Sequence, residues 1–100
     1  MNFIVQKLNI QINLKTRVVT RKADLSVPRQ AHGICAINNY VYCVCGISQE
    51  DAYDTVERYD TLTDKWETLE EKYPKKSFAM ACIPIKKRYI YTFGEAAYEY

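Results

Sequence analysis

The side chains with most chemical reach in this sequence are one histidine, four cysteines and a compact basic run. His32 has no second histidine to work with, so no Ser–His or Cys–His relay can be assembled around it. A zinc or copper site would need partners for it that the chain does not clearly supply. Cys35, Cys43, Cys45 and Cys82 are even in number, which raises a disulfide or a zinc site. Their spacing argues against both. One residue separates Cys43 from Cys45, which on a strand puts both on one face. There is neither a C-x-x-C pair nor a following pair of histidines. The expectation is small buried thiols on β-strands. With three glycines, Gly33, Gly46 and Gly94, the chain has no glycine-rich phosphate loop. Lys86-Lys87-Arg88 reads first as a solvated hairpin tip, and second as a contact for phosphate or an acidic partner.

The elements that position these residues follow from size and pattern. The chain has 100 residues, the length of one small domain, and 48% of them are hydrophobic, enough for a packed core. Fourteen basic against twelve acidic side chains leave a formal net charge of +2, which gives no push toward nucleic acid or an anionic membrane. No stretch approaches the roughly 20 apolar residues of a membrane helix. Met1 to Lys7 lacks the pattern of a secretory signal, so a cytoplasmic setting is expected. Nine of the thirteen aromatics are Tyr, a residue whose ring packs on a sheet while its hydroxyl stays wet.

Strand signals are dense. Val41-Tyr42-Cys43-Val44 and Tyr89-Ile90-Tyr91-Thr92-Phe93 are β-branched and aromatic runs, each ending at a glycine, Gly46 or Gly94. Val56 to Tyr59 and Lys65 to Leu69 read as alternating half-buried strands. The polar turn Asp60 to Asp64 joins them into a hairpin. Asp64 to Lys72 holds helix-forming residues but no apolar stripe at helical spacing. The chain is expected to be all-β.

It also repeats itself. Pro28-Arg29 opens a small and apolar run through Ile37, and Pro74-Lys75 opens another through Ile83. Val41-Tyr42 with Cys45-Gly46 recurs as Ile90-Tyr91 with Gly94-Glu95. The offset of roughly 46 to 49 residues suits a propeller blade. A fainter match sets Val5 to Asn9 against Val56 to Asp60, with Arg17 to Thr20 where Lys65 to Leu69 sits. Residues 3–20 then supply the last two strands of one blade, 29–70 a whole blade, and 77–93 the first two strands of a third.

These residues resemble a kelch repeat: the lead-in Pro28-Arg29, the second strand at Val41-Tyr42, a diglycine reduced to Cys45-Gly46, Tyr59 on the third strand and Trp66 on the fourth. The Tyr-to-Trp spacing across a polar turn is the most specific part. The resemblance implies a kelch-type β-propeller segment of four-stranded antiparallel blades. Its diglycine permits backbone angles closed to other residues, and its Tyr and Trp fill the gap between blades. Arg17 or Val18 stands where the first blade should carry Trp. Closed propellers need about 4 to 8 blades, so further blades must come from a parent chain, another copy or a partner.

The resemblance further implies a protein-interaction scaffold that docks a partner on its loop face and is not an enzyme. Cytoskeletal, ciliary and ubiquitin-ligase assemblies are the contexts it suggests. The lead-in base points toward the central pocket in such propellers, here Arg29 with Gln30, and Lys75 in the next blade. The loop after the second strand contributes Ser48 and Gln49. An Arg there suits an acidic peptide segment, although it could equally pair with an acid of its own chain. No cofactor is expected. Some kelch-like enzymes hold copper through Tyr and His with a Cys-modified Tyr, an arrangement that a single His does not support. The alternative function is a segment of a kelch-like oxidase or isomerase whose catalytic residues lie outside this chain.

Overall fold

The computed structural model describes residues 7–96, with side chains for 7–93. Eight strands follow in order: β1 (Asn9–Ile12), β2 (Val19–Lys22), β3 (Gly33–Ile37), β4 (Tyr40–Val44), β5 (Val56–Asp60), β6 (Lys65–Thr68), β7 (Ser77–Ile85) and β8 (Tyr89–Ala96). They form a two-stranded sheet β1-β2, a four-stranded sheet β3-β4-β5-β6 in chain order, and a two-stranded sheet β7-β8. Every pairing is antiparallel. The described residues are therefore all-β, one four-stranded antiparallel blade between two half-blades, as expected of a propeller segment.

The complete blade is held by short turns whose residues do the capping. Asn38 takes the left-handed conformation, with φ 55°, in the tight turn between β3 and β4. Such a turn demands positive φ, and Asn tolerates it. Between β5 and β6, Asp60 accepts from the Leu62 amide at 2.9 Å and from Asn39 Nδ2 at 3.0 Å. The Thr61 amide reaches the Asn39 carbonyl at 2.9 Å, so the two hairpin tips lie side by side. Asp64, with φ 57°, closes the turn and accepts from the Tyr59 hydroxyl at 2.5 Å. Lys65 to Thr68 is strand, as the alternation predicts.

The outer segments depart from the sequence reading in their bounds. The first hairpin pairs Asn9–Ile12 with Val19–Lys22, later than the match of Val5–Asn9 to the third strand suggests. Val5 and Gln6 lie outside the described residues. A six-residue turn, in which Asn13 Oδ1 accepts from the Lys15 and Thr16 amides, displaces the strands. At the other end β8 runs through Gly94 to Ala96, because β7 is long enough to keep pairing with it. A bulge between Phe78 and Ala81 frees Ala79, φ 53°, whose amide donates to the Ala31 carbonyl at 2.7 Å.

The core is the complete blade together with its lead-in. Cys35, Ile37, Cys43, Val44, Cys45, Ala52 and Tyr59 are buried. Gly33 explains how the next half-blade fits. A Cβ at this position would collide with Cys82 Sγ and stand 2.8 Å from Met80 Cβ, so only glycine lets β3 and β7 approach this closely. The opposite face of β3 is open, and Ile34 is 58% exposed.

Candidate partner-docking face

The loop between β4 and β5 leaves the sheet through the reduced diglycine. Gly46 has φ 102°, and a Cβ there would stand 2.8 Å from the Gln30 carbonyl. Cys45, at the position of the missing glycine, adopts φ 59° with its side chain fully buried. It lies one residue past the end of β4, so the period-two argument that put it on one strand face with Cys43 does not reach it. A non-glycine residue pays about 1–2 kcal/mol for this conformation. The Cys45 amide bonds the Thr55 carbonyl at 2.9 Å, which closes the loop at its root.

Arg29 holds that root from beneath. Its guanidinium donates to the Cys45 carbonyl at 2.7 Å, and to the Thr55 carbonyl and hydroxyl at 3.3 and 3.0 Å. Its other partner is Glu57 on β5, 2.9 Å away. Tyr53 covers it, with its ring centre 4.9 Å from the guanidinium carbon. Both charges of the pair are closed off from solvent, the side chains being 1% and 0% exposed. Glu57 also accepts from the Ser26 amide at 2.9 Å, so the lead-in is stitched to the third strand. Of the two roles open to Arg29 in the sequence, the structure places it against an acid of its own chain, and its side chain does not stand open to a partner.

The remaining sequence-predicted residues gather at the same edge of the sheet. Gln30 and Ile47 exchange backbone hydrogen bonds at 3.1 and 2.9 Å. Ser48 turns its hydroxyl inward, accepting from the Glu50 and Asp51 amides and donating to the Asp51 carbonyl. Gln49 and Glu50 form the exposed crest. The segment before β7 joins through Tyr53 and Ser77, 3.0 Å between amide and carbonyl, and through Lys76 to Asp51 at 2.6 Å. Lys75 stands exposed beside them. Gln30, Ser48, Gln49 and Lys75 thus share one loop face, with Arg29 below it. That shared face was legible from the lead-in and the diglycine. Glu57 was not, because in sequence it resembles the polar member of an alternating strand. The buried Arg two strands away is what makes its burial affordable.

Burial pushes the His32 imidazole below its ordinary value, helped by the Arg29 charge and opposed by Glu57. Burial raises Cys43 to about 12, and Cys45 and Cys82 to about 11. All four cysteines are free thiols, three of them buried. Among the described residues no group of three or more His, Cys, Asp or Glu side chains is placed to hold a metal ion.

Comparison with known proteins places this geometry. The Kelch motif family model matches residues 28–72, which span the lead-in and the whole four-stranded blade. Residues 28–72 thus carry a kelch motif. Kelch-like protein 15 from Gallus gallus is 40% identical over 58 residues, covering 58% of this chain and 12% of the relative. Kelch-like protein 13 from Homo sapiens is 35% identical over 77 residues, covering 72% of this chain and 12% of the relative. The chain thus spans about a tenth of the length of these relatives. Among solved structures, that of YjhT superposes with a TM-score of 0.68 at 19% identity, over 80% of this chain and 25% of that one. At that identity the likeness concerns the fold.

Proposed function

We propose that this chain is a protein-interaction scaffold whose loop face docks a partner protein. The observation that carries the reading is the loop root: a fully buried Arg29–Glu57 pair fixes both ends of the Cys45–Thr55 loop, so its crest is presented on rigid strands. Loops held in this way are where binding residues concentrate. The contact residues are Gln30, Ser48, Gln49 and Lys75; Arg29 positions them and does not touch the partner. Lys75 supplies exposed positive charge for an acidic peptide segment. No observation favours the enzymatic alternative. Four unpaired thiols accord with a reducing, cytoplasmic setting.

The test is a titration of the kelch protein with an acidic peptide and with a basic peptide of equal length, read by shifts of the loop amides. The acidic peptide is expected to shift Gln30, Gln49 and Lys75, and Lys75→Glu to weaken it several-fold. Shifts confined to the β5–β6 turns, or equal response to both peptides, would overturn the assignment.

A further inference from the structure

The loop between β4 and β5 is built in two tiers. Its root is fixed: Arg29 donates to the carbonyls of Cys45 and Thr55, and the Cys45 amide donates to the Thr55 carbonyl. Its crest, residues 48–51, closes on itself through Ser48. The Ser48 amide and the Ser48 hydroxyl both donate to the Asp51 carbonyl, at 2.8 and 3.1 Å. The Glu50 and Asp51 amides each donate to Ser48 Oγ at 3.2 Å. These side-chain bonds of the crest are exposed to solvent. Exposed bonds of this kind open first, well below the free energy of global unfolding. The crest can therefore open while the root stays shut.

What an open crest offers is a serine followed by two carboxylates. Glu50 stands two residues after Ser48 and Asp51 three, and both are exposed. On an extended segment they lie about 7 and 10 Å beyond the hydroxyl. A kinase whose substrate groove is lined with Lys and Arg selects acids at that distance, because charge-assisted bonds to carboxylates fix the hydroxyl at the phosphoryl donor. Asp51 is paired with Lys76 at 2.6 Å, but both side chains are more than half exposed. Such a pair holds loosely and gives way to a basic groove.

Two other hydroxyls precede acids, and the fold sets both apart. Thr68 has the same spacing to Glu70 and Glu71. It is the last residue of β6, however, and lies opposite Glu57 in the ladder, so opening it would detach β6 from β5. Thr61 has an acid three residues on, at Asp64. That carboxylate is held by the Tyr59 hydroxyl and the Ala23 amide, and the Thr61 hydroxyl itself donates to the Asn39 carbonyl at 2.8 Å. Of the three, Ser48 is the one on a segment that opens without breaking a sheet.

We propose that Ser48 is a phosphorylation site for an acid-directed kinase, and that the phosphate turns the loop face away from acidic partners. In the transfer Ser48 Oγ attacks the γ-phosphorus of ATP. The Oγ–P bond forms as the bond from that phosphorus to the β,γ-bridging oxygen breaks. ADP leaves with the electron pair, and the hydroxyl proton passes to the base of the kinase. The product loses the hydroxyl donor to the Asp51 carbonyl and gains about two negative charges and three acceptor oxygens. On reclosing, the phosphate meets the Glu50 and Asp51 amides, from which Ser48 Oγ already accepts. It competes with Asp51 for Lys76 and repels acids approaching Lys75. The effect on docking rests on the reading of the loop face given above; the modification itself does not.

The test incubates the folded chain, its Ser48→Ala variant and a peptide of residues 44–56 with ATP and an acid-directed serine kinase. One phosphate per chain is expected, placed at Ser48 by fragment masses and absent from Ser48→Ala. Phosphate on the peptide but not on the folded chain, phosphate on Thr68 instead, or none on either would overturn the site. A semisynthetic chain with phosphoserine at position 48 is then titrated with the acidic peptide. Its affinity is expected to fall roughly tenfold at low salt, and less at high salt, where the charge is screened. Unchanged affinity would overturn the switch. An acidic peptide that fails to bind even the unmodified chain would bring down the docking reading and the switch together, while labelling at Ser48 would still stand as a modification site.

Discussion

Arg29 and Glu57 meet at 2.9 Å inside the complete blade, and neither side chain reaches solvent. Burying one charge alone is far costlier than burying the pair. Glu57→Gln is therefore expected to destabilise the folded protein by roughly 3–5 kcal/mol. Replacing both partners, as Arg29→Met/Glu57→Leu, should cost less than the single change, although the loop root then loses the bonds to Cys45 and Thr55. Denaturant midpoints of the single and double variants check this order.

Gly33 sets the distance between the complete blade and the half-blade that follows. Gly33→Ala would drive a methyl group into Cys82 Sγ and Met80 Cβ. Overpacking of this kind costs about 1–3 kcal/mol. Cys82→Ala in the same chain removes one of the two obstacles and should recover part of the loss. Thermal unfolding of the pair measures the coupling.

The thiols make a prediction about alkali. Cys43 ionises in the unfolded chain near 9.0 and in the folded chain near 12, because burial disfavours the thiolate. Cys45 and Cys82 follow the same course, to about 11. Above pH 9 the unfolded state then binds fewer protons than the native state, so stability falls as pH rises. It is fully present below pH 9 and is lost progressively up to about pH 11–12. Native protein at pH 8 should accordingly react slowly with a thiol reagent, and promptly in denaturant. Fast native labelling of Cys43 would contradict the burial.

Trp66 joins the two parts through one hydrogen bond, from Nε1 to the Ala23 carbonyl, while its ring sits 5.1 Å from that of Tyr59. A Trp that fills the gap between blades, as the resemblance implies for Trp66, is expected to be largely buried. In the structure it is half-buried, because the cleft beside it is open. Trp66→Phe keeps most of the ring packing and loses the bond, worth about 1 kcal/mol. The expected result is faster hydrogen exchange at the Ala23 amide, with little change within β3 and β4.

The blade was readable because its signals are local. Asn38-Asn39 and Asp60 to Asp64 announce turns, and Val41-Tyr42 and Lys65-Trp66 announce strands. Their order alone gives β3-β4-β5-β6. What escaped reading depends on residues far apart in the chain. Glu57 is buried because Arg29 waits beneath it. The β1-β2 hairpin starts late because its turn is long and carries no glycine to mark it. Of the candidate docking residues, the common face of Gln30, Ser48, Gln49 and Lys75 followed from the repeat. The withdrawal of Arg29 beneath that face did not, since a base in a lead-in looks the same in sequence whether it points outward or pairs within.

Amide hydrogen exchange followed residue by residue tests most directly the claim that Gly33–Thr68 is one complete blade. The slowest amides should lie in β4 and β5, the two central strands, which are paired on both sides, with β6, paired on one side only, exchanging faster. Protection running continuously from Asp64 to Lys72 in a helical pattern, or β4 and β5 exchanging as fast as the edges, would contradict the account.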